Sequence, residues 1–355
     1  MWERSHILRT EDLKMRGLVV YGDGRIRLAD DIAKPQVNDY SAIVKTIACG
    51  ICNGTDIKLV EGHLKGFSDY PAVLGHESVG IVTEVGSKVT KFKVGDFVLR
   101  SQLDPDDRYN SLWGSFAEYT RVYDYEAQKR DGAGGNIGDI PQQVIPSGLD
   151  MADATMIITL KEVYSALRRL GLRKGDSIVI AGDGPVGLAF ANCARIYGAS
   201  KIILTGHHND RLSTAINVGA DLALNSKTDH GYLETIKEEL PGGADIFVDA
   251  VGNNHNVNDA FSLIKDNGTI GLYGIGIKDD IPVKWNSAPY NFKFLSVQWP
   301  IPEIEASIHD ELIENVVNGN IDLKDYVSDV LPVEEFEKGF ELVRSRRGLK
   351  VVLTF

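Results

Sequence analysis

Cysteine is scarce in this chain, with three in 355 residues: Cys49, Cys52 and Cys193. Three cannot make a disulfide framework, so the fold must rest on a buried core. Long hydrophobic runs are missing too. No stretch approaches the roughly 18 apolar residues needed to cross a bilayer, and Met1 to Asp12 carries mixed charges without the apolar centre of a signal peptide. These absences point away from a membrane and towards the cytoplasm. Positive charge is in deficit as well: 38 Lys and Arg against 50 Asp and Glu give a net charge of -12, which argues against nucleic acid as a partner. Proline is sparse at 12 residues, and there is no internal repeat or low-complexity segment. What is present is 43% hydrophobic content over a length that suggests two domains.

The texture changes along the chain. Before residue 150 short alternating apolar segments with glycine-rich turns, such as Ala42 to Ala48, Val79 to Val85 and Asp96 to Leu99, predict mostly β-structure. From about residue 160 helix and strand alternate, with a helix through Val163 to Leu170, a strand at Asp245 to Val248, a helix at Val257 to Ile264 and a strand at Thr269 to Tyr273. That alternation predicts a doubly wound α/β domain. After Trp299, helices through Ile308 to Val317 and Glu334 to Val343 lead to a last strand, Lys350 to Leu353, and this tail is expected to rejoin the first domain. The acidic run Asp104 to Asp107 reads as a solvated loop.

Ile178 to Ile180 form an apolar strand that meets the turn G-D-G-P-V-G, in which Gly182, Gly184, Pro185, Val186 and Gly187 precede a helix. Backbone amides at such a helix N-terminus approach a pyrophosphate with no Cβ in the way, so these residues are candidate dinucleotide ligands. A second strand, Lys201 to Leu204, follows where a βαβ unit requires it, and ends in Thr205, Gly206, His207 and His208. A carboxylate at that end would bond the adenosine ribose 2′-hydroxyl; none stands there, and Asp210 comes only later. Gly206 leaves room for a 2′-phosphate, and His207, His208 and Arg211 offer it donors and charge. The expectation is NADP(H) in preference to NAD(H); the other reading is two surface histidines and a site that accepts either.

Two segments of the first domain carry metal chemistry: A-C-G-I-C-N-G-T-D, from Ala48 to Asp56, and L-G-H-E-S-V-G, from Leu74 to Gly80. Thiolate, imidazole and carboxylate are ligands that Zn²⁺ accepts in a catalytic site with an open position. With the G-x-G-x-x-G unit, Gly62, the V-G-D of Val94 to Asp96, the G-S-F-A-E-Y of Gly114 to Tyr119, the K-G-D of Lys174 to Asp176 and the closing K-V-V-L, the chain resembles the zinc-containing medium-chain dehydrogenase/reductases over nearly its whole length. The resemblance implies a GroES-like β catalytic domain at 1–158, to which 300–355 returns, a Rossmann cofactor domain at 159–299, and an active site in the cleft between them. It assigns Cys52 and His76 as zinc ligands, Glu77 as an exchanging ligand, Asp56 as the carboxylate that orients His76, and Thr55 as the hydroxyl that takes the alcohol proton. It also implies a homodimer or homotetramer acting on a small-molecule alcohol or ketone, a polyol, sugar or cyclitol being favoured.

Three departures from the family pattern bear on the site. One extra residue separates Cys52 from Asp56; alignment from the left keeps Cys52 as ligand, alignment from the right puts Asn53 there. The position of a further ligand before the K-G-D turn holds Ile157 or Ile158, which leaves Glu162, Glu77 or water to complete the sphere. No cysteines follow the V-G-D strand between Val98 and Tyr119, so one catalytic zinc and no structural zinc is expected, with the Leu103 to Asn110 loop held by other contacts. His63, Lys65, Trp113 and Glu118 are polar candidates for the substrate; Trp299 and Phe116 would line an apolar pocket instead. The alternatives are a zinc-independent reductase of carbonyls or activated double bonds, and a non-catalytic NADPH-binding redox sensor using Cys49 and Cys52. Cys193 is expected to be core packing.

Overall fold

The computed structural model describes residues 14–276 and 283–355, so the reading of Met1 to Asp12 lies outside the described residues. Two compact units emerge, residues 1–155 with 327–355, and residues 156–326.

The first unit is built on β-structure. In chain order it contains β1 (Lys14–Val20), β2 (Ile26–Ala33), β3 (Ser41–Ile51), the short helix α1 (Asp56–Val60), β4 (Ala72–Val73), β5 (Glu77–Val85), β6 (Phe97–Leu99), β7 (Asn110–Ser111), β8 (Tyr119–Tyr123), α2 (Tyr125–Arg130) and β9 (Val144–Ile145). The sequence S-A-I-V-K-T-I-A-C-G-I of β3 is buried at nearly every position, because β3 is central: β5 lies along one edge, and β8 and the C-terminal strand share the other. A strand buried on both faces reads as a continuous apolar run, not an alternation.

The second unit opens with α3 (Met156–Leu170), longer than the expected Val163 to Leu170 because Met156, Ile157, Ile158 and Leu160 are also fully buried on it. It continues through β10 (Ser177–Ala181), α4 (Pro185–Ile196), β11 (Lys201–Gly206), α5 (Asn209–Asn217), β12 (Leu222–Asn225), α6 (Tyr232–Glu239), β13 (Ala244–Asp249), α7 (Asn254–Leu263), β14 (Ile264–Leu272) and β15 (Phe292–Ser296). The six strands pair in parallel in the order β12-β11-β10-β13-β14-β15, a doubly wound sheet whose order reverses between β10 and β13. Cys193, on α4, is fully buried, and burial pushes its thiol pKa up.

Residues 300–326 stay with this unit, whereas the sequence pattern assigned them to the first. Helices α8 (Pro302–Ser307) and α9 (His309–Val317) pack on α3, where Tyr164 Oη donates to Glu311 Oε1 at 2.5 Å and Arg168 reaches Ser307. Two helices after the last strand leave no alternation that assigns them, and only the partners of their apolar faces decide. The return begins at Val327 with β16 (Val327–Pro332), α10 (Phe336–Arg344) and β17 (Lys350–Thr354), and β17 pairs antiparallel with β3 through Val352 and Gly50.

The acidic loop after β6 is more than a solvated surface. Asp104 accepts from Tyr123 Oη at 2.6 Å and pairs with Arg121, Asp106 accepts the amides of Arg108 and Tyr109, and Asp31 takes Tyr109 Oη at 2.8 Å. Charge-assisted bonds thus hold the segment that has no cysteines.

Candidate metal centre and cofactor turn

Strand register brings the metal-type ligands to one end of the seven-stranded sheet. Gly50 of β3 stands opposite Glu77 of β5, and Cys52 follows directly where β3 ends. Gly75 adopts φ +109, a left-handed conformation that favours glycine, and a Cβ there would come within 2.6 Å of Phe116. That turn delivers His76 beside Cys52. Ligand atoms of Cys52, His76 and Glu77 all lie within 4.8 Å of one another. The donor set is one that zinc accepts.

The extra residue of C-N-G-T-D is absorbed in a turn. Cys52 stays in the cluster, Asn53 points to solvent, and α1 still starts at Asp56. Asp56 Oδ2 accepts the Cys52 amide at 2.9 Å, while Oδ1 lies 3.3 Å from His76 Nδ1, off the axis of a good hydrogen bond. Asp56 is fully buried and His76 is 9% exposed. Burial works against an imidazolium at His76, but Asp56 and Cys52 outweigh it and hold its pKa well above the ordinary value. A pocket that favours a proton on a buried ring is one that attracts a cation. Thr55 is buried at the N-cap of α1, yet its side chain makes no capping bond, so its hydroxyl is not spent on the helix.

Lys350 was missed by the sequence reading. Its Nζ bonds Glu77 Oε2 at 2.5 Å, with both side chains almost fully buried. Burial lowers the lysine pKa, Glu77 and Cys52 raise it, and the rise wins. Gly50 makes room for this pair, since a Cβ there would stand 2.7 Å from Glu77 Oε2 and 3.3 Å from Lys350 Cδ. The available signal was a single lysine opening an otherwise apolar terminal strand.

The substrate candidates separate clearly. Trp113 packs its ring against His76 at 5.1 Å and against Phe67 at 5.3 Å, and holds φ +63, an uncommon conformation for a bulky residue. Phe116, by contrast, is fully buried and packs against Phe340. Glu118 is engaged by Arg16 through both its amide and its guanidinium, and His63 and Lys65 are exposed. In the second unit, Ile157 and Ile158 are fully buried on α3, Glu162 accepts from Tyr273 Oη at 3.3 Å, and Trp299 is 47% exposed.

The glycine-rich turn has the form that its sequence dictates. Gly182 takes φ +128, Gly184 caps α4 and Pro185 fills its first position. Val186 follows in the first turn, and a Cβ on Gly187 would fall 1.9 Å from the Gly182 carbonyl, so only glycine allows strand and helix to approach so closely. Nothing lies within 4 Å of a Cβ on Gly184, which leaves the face open for a pyrophosphate. At the end of β11, Gly206, His207 and His208 meet the side chain of Asp183, the second residue of the turn, and Arg211 is 9% exposed on α5. Sequence reading gave Asp183 no role.

Two family models match the chain: an alcohol dehydrogenase GroES-like domain over residues 38–129 and a zinc-binding dehydrogenase over residues 185–298, together more than half of its length. A sorbitol dehydrogenase of Bombyx mori is 27% identical, the alignment covering 94% of this chain and 97% of that protein. A probable D-xylulose reductase A of Aspergillus terreus is 27% identical over 92% and 94%. Among solved structures, the alcohol dehydrogenase TADH of Thermus sp. ATN1 superimposes with a TM-score of 0.79 at 24% identity, over 96% of this chain and 100% of that one.

Proposed function

The chain belongs to the zinc-containing medium-chain alcohol and polyol dehydrogenases, and from that premise we propose that it interconverts a secondary alcohol and a ketone with a nicotinamide cofactor, its substrate a polyol, sugar or cyclitol. The observation that carries this reading is the convergence of Cys52, His76 and Glu77 within 4.8 Å, backed by Asp56 and Lys350. The names of the sorbitol and xylulose relatives support the substrate class. So does the Trp113 face beside His76, because indole rings stack on the C–H faces of sugars and polyols.

Cys52, His76 and Glu77 would hold one zinc, which when bound supplies Lewis acidity that lowers the pKa of the alcohol. Asp56 sets the orientation of the His76 ring from the Nδ1 side, leaving Nε2 for the metal. Lys350 balances the charge of Glu77 and keeps its carboxylate aimed. Thr55 Oγ1 takes the alcohol proton outward. Among the described residues no helix is long and apolar enough to cross a membrane; a cytoplasmic homodimer or homotetramer completes the proposal.

Two cofactor readings each have their own observation. NADP(H) is supported by glycine at 206 followed by His207, His208 and Arg211. NAD(H) is supported by the Asp183 carboxylate at the same strand end.

Elemental analysis of the untagged protein tests the mechanism. About one zinc per chain is expected, lost in Cys52→Ala together with turnover, while cofactor binding persists. Full activity in Cys52→Ala, or reduction of an enone by metal-free protein, would replace the zinc mechanism with that of a zinc-independent reductase.

A further inference from the structure

A glycine ends β11, but the space beside it is filled. A Cβ placed on Gly206 would stand 2.4 Å from Asp183 Cβ and 2.5 Å from both Cγ and Oδ2 of Asp183. The carboxylate therefore occupies the volume that a side chain at 206 would take, and it arrives there from the glycine-rich turn. Asp183 Oδ2 accepts the backbone N–H groups of His207 at 2.6 Å and His208 at 2.7 Å, and lies 3.0 Å from His208 Nδ1. Oδ1 accepts no hydrogen bond from the described residues, and the side chain is only 11% exposed. A carboxylate fixed on one oxygen and free on the other is an acceptor waiting for a donor.

We infer that Asp183 reads the adenosine ribose of the cofactor. The inference rests on the NAD(H) reading and on the dinucleotide turn itself. In a βαβ cofactor unit the ribose hydroxyls are bonded by an acid at the end of the second strand. Here Gly206 and Asp183 share that role, because glycine vacates the strand end and the turn can then supply the carboxylate. A ribose 2′-hydroxyl donates to Oδ1, whereas a 2′-phosphate brings charge of the same sign against a mostly buried anion. His207 and His208 then serve the carboxylate of the turn rather than a phosphate. Asp183 is a specificity-determining residue that no strand-end motif would reveal.

The test uses binary binding and needs no turnover. ADP-ribose and its 2′-phosphorylated form are titrated calorimetrically into the full chain, into Asp183→Asn, which keeps an oxygen for the two amides, and into the double variant Asp183→Gly with Gly206→Asp. Expected is preference of the native chain for ADP-ribose, a loss of about tenfold or more in that preference in Asp183→Asn, and its recovery when the acid is returned to the strand end in the double variant. A native chain that prefers the 2′-phosphorylated form, unchanged by Asp183→Asn, overturns the inference and leaves NADP(H). Preference for ADP-ribose that Asp183→Asn does not alter also overturns it, but keeps NAD(H). If the native chain binds neither fragment, the dinucleotide reading falls and the inference with it.

Discussion

Glu77 and Asp139 belong to the same unit and are equally buried, at 3% exposure each, yet their surroundings are opposite. Glu77 has a buried ammonium at 2.5 Å and stands in a cluster of metal-type ligands. Asp139 has the side-chain amide of Gln102 at 2.7 Å and no ion pair among the described residues, and burial pushes its pKa up to about 6. Desolvating a carboxylate costs several kcal/mol unless charge or hydrogen bonds offset it. The first carboxylate has a buried ammonium beside it in the candidate metal cluster; the second has only amide partners among the described residues and is an ordinary packing cost. Of these two buried acids, only the one given a counter-charge stands among metal-type ligands.

Removing that counter-charge breaks the comparison most severely. Lys350→Met removes the buried ammonium that Glu77 Oε2 accepts from, which should lower stability by about 3–5 kcal/mol, and added zinc should recover part of the loss by supplying positive charge to the cluster. Thermal melts with and without zinc check both statements; an unchanged melting temperature would mean that the pair contributes nothing.

The opposite change at the other acid sharpens the contrast. Between the ordinary value of 3.8 and about 6 the folded chain holds a proton on Asp139 that the unfolded chain has released, so this group costs stability as pH rises through that window. Asp139→Asn should therefore stabilise the protein at pH 7.5 by about 1–2 kcal/mol, with the gain shrinking below pH 6 and gone near pH 4. Denaturant midpoints across that range measure it, and a constant gain would assign the effect to packing.

The smallest effect belongs to a charge that is not buried. Arg108 pairs with Asp31 on the acidic loop with its side chain 60% exposed, and Arg108→Ala should change stability by less than about 1 kcal/mol. A loss as large as that of Lys350→Met would show that exposure is a poor guide in this loop.

The candidate ligands Cys52, His76 and Glu77 were legible because each sits in a short motif whose chemistry is local: Cys52 after an apolar strand, His76 and Glu77 after a glycine that must adopt positive φ. The cofactor turn was legible for the same reason, since strand, glycines and helix lie within one contiguous stretch. Lys350 was not, because its partner is 273 residues away and no periodicity links a terminal strand to β5. The motif alone did not place Phe116, since an aromatic residue there looks the same whether it faces a site or packs behind Gly75; the fold buries it fully.

By itself the sequence determined the two fold types, the order of their elements, the residue types of the candidate metal cluster and the shape of the glycine-rich turn, all set by patterns within a few residues of one another. Tertiary structure alone decided that the extra residue at Asn53 leaves both Cys52 and Asp56 in place, that residues 300–326 pack on α3, that Lys350 balances Glu77, and that Asp183 fills the space beside Gly206. Each of those outcomes depends on which distant side chains share a buried volume, and burial is a property of the packed chain that no local pattern encodes.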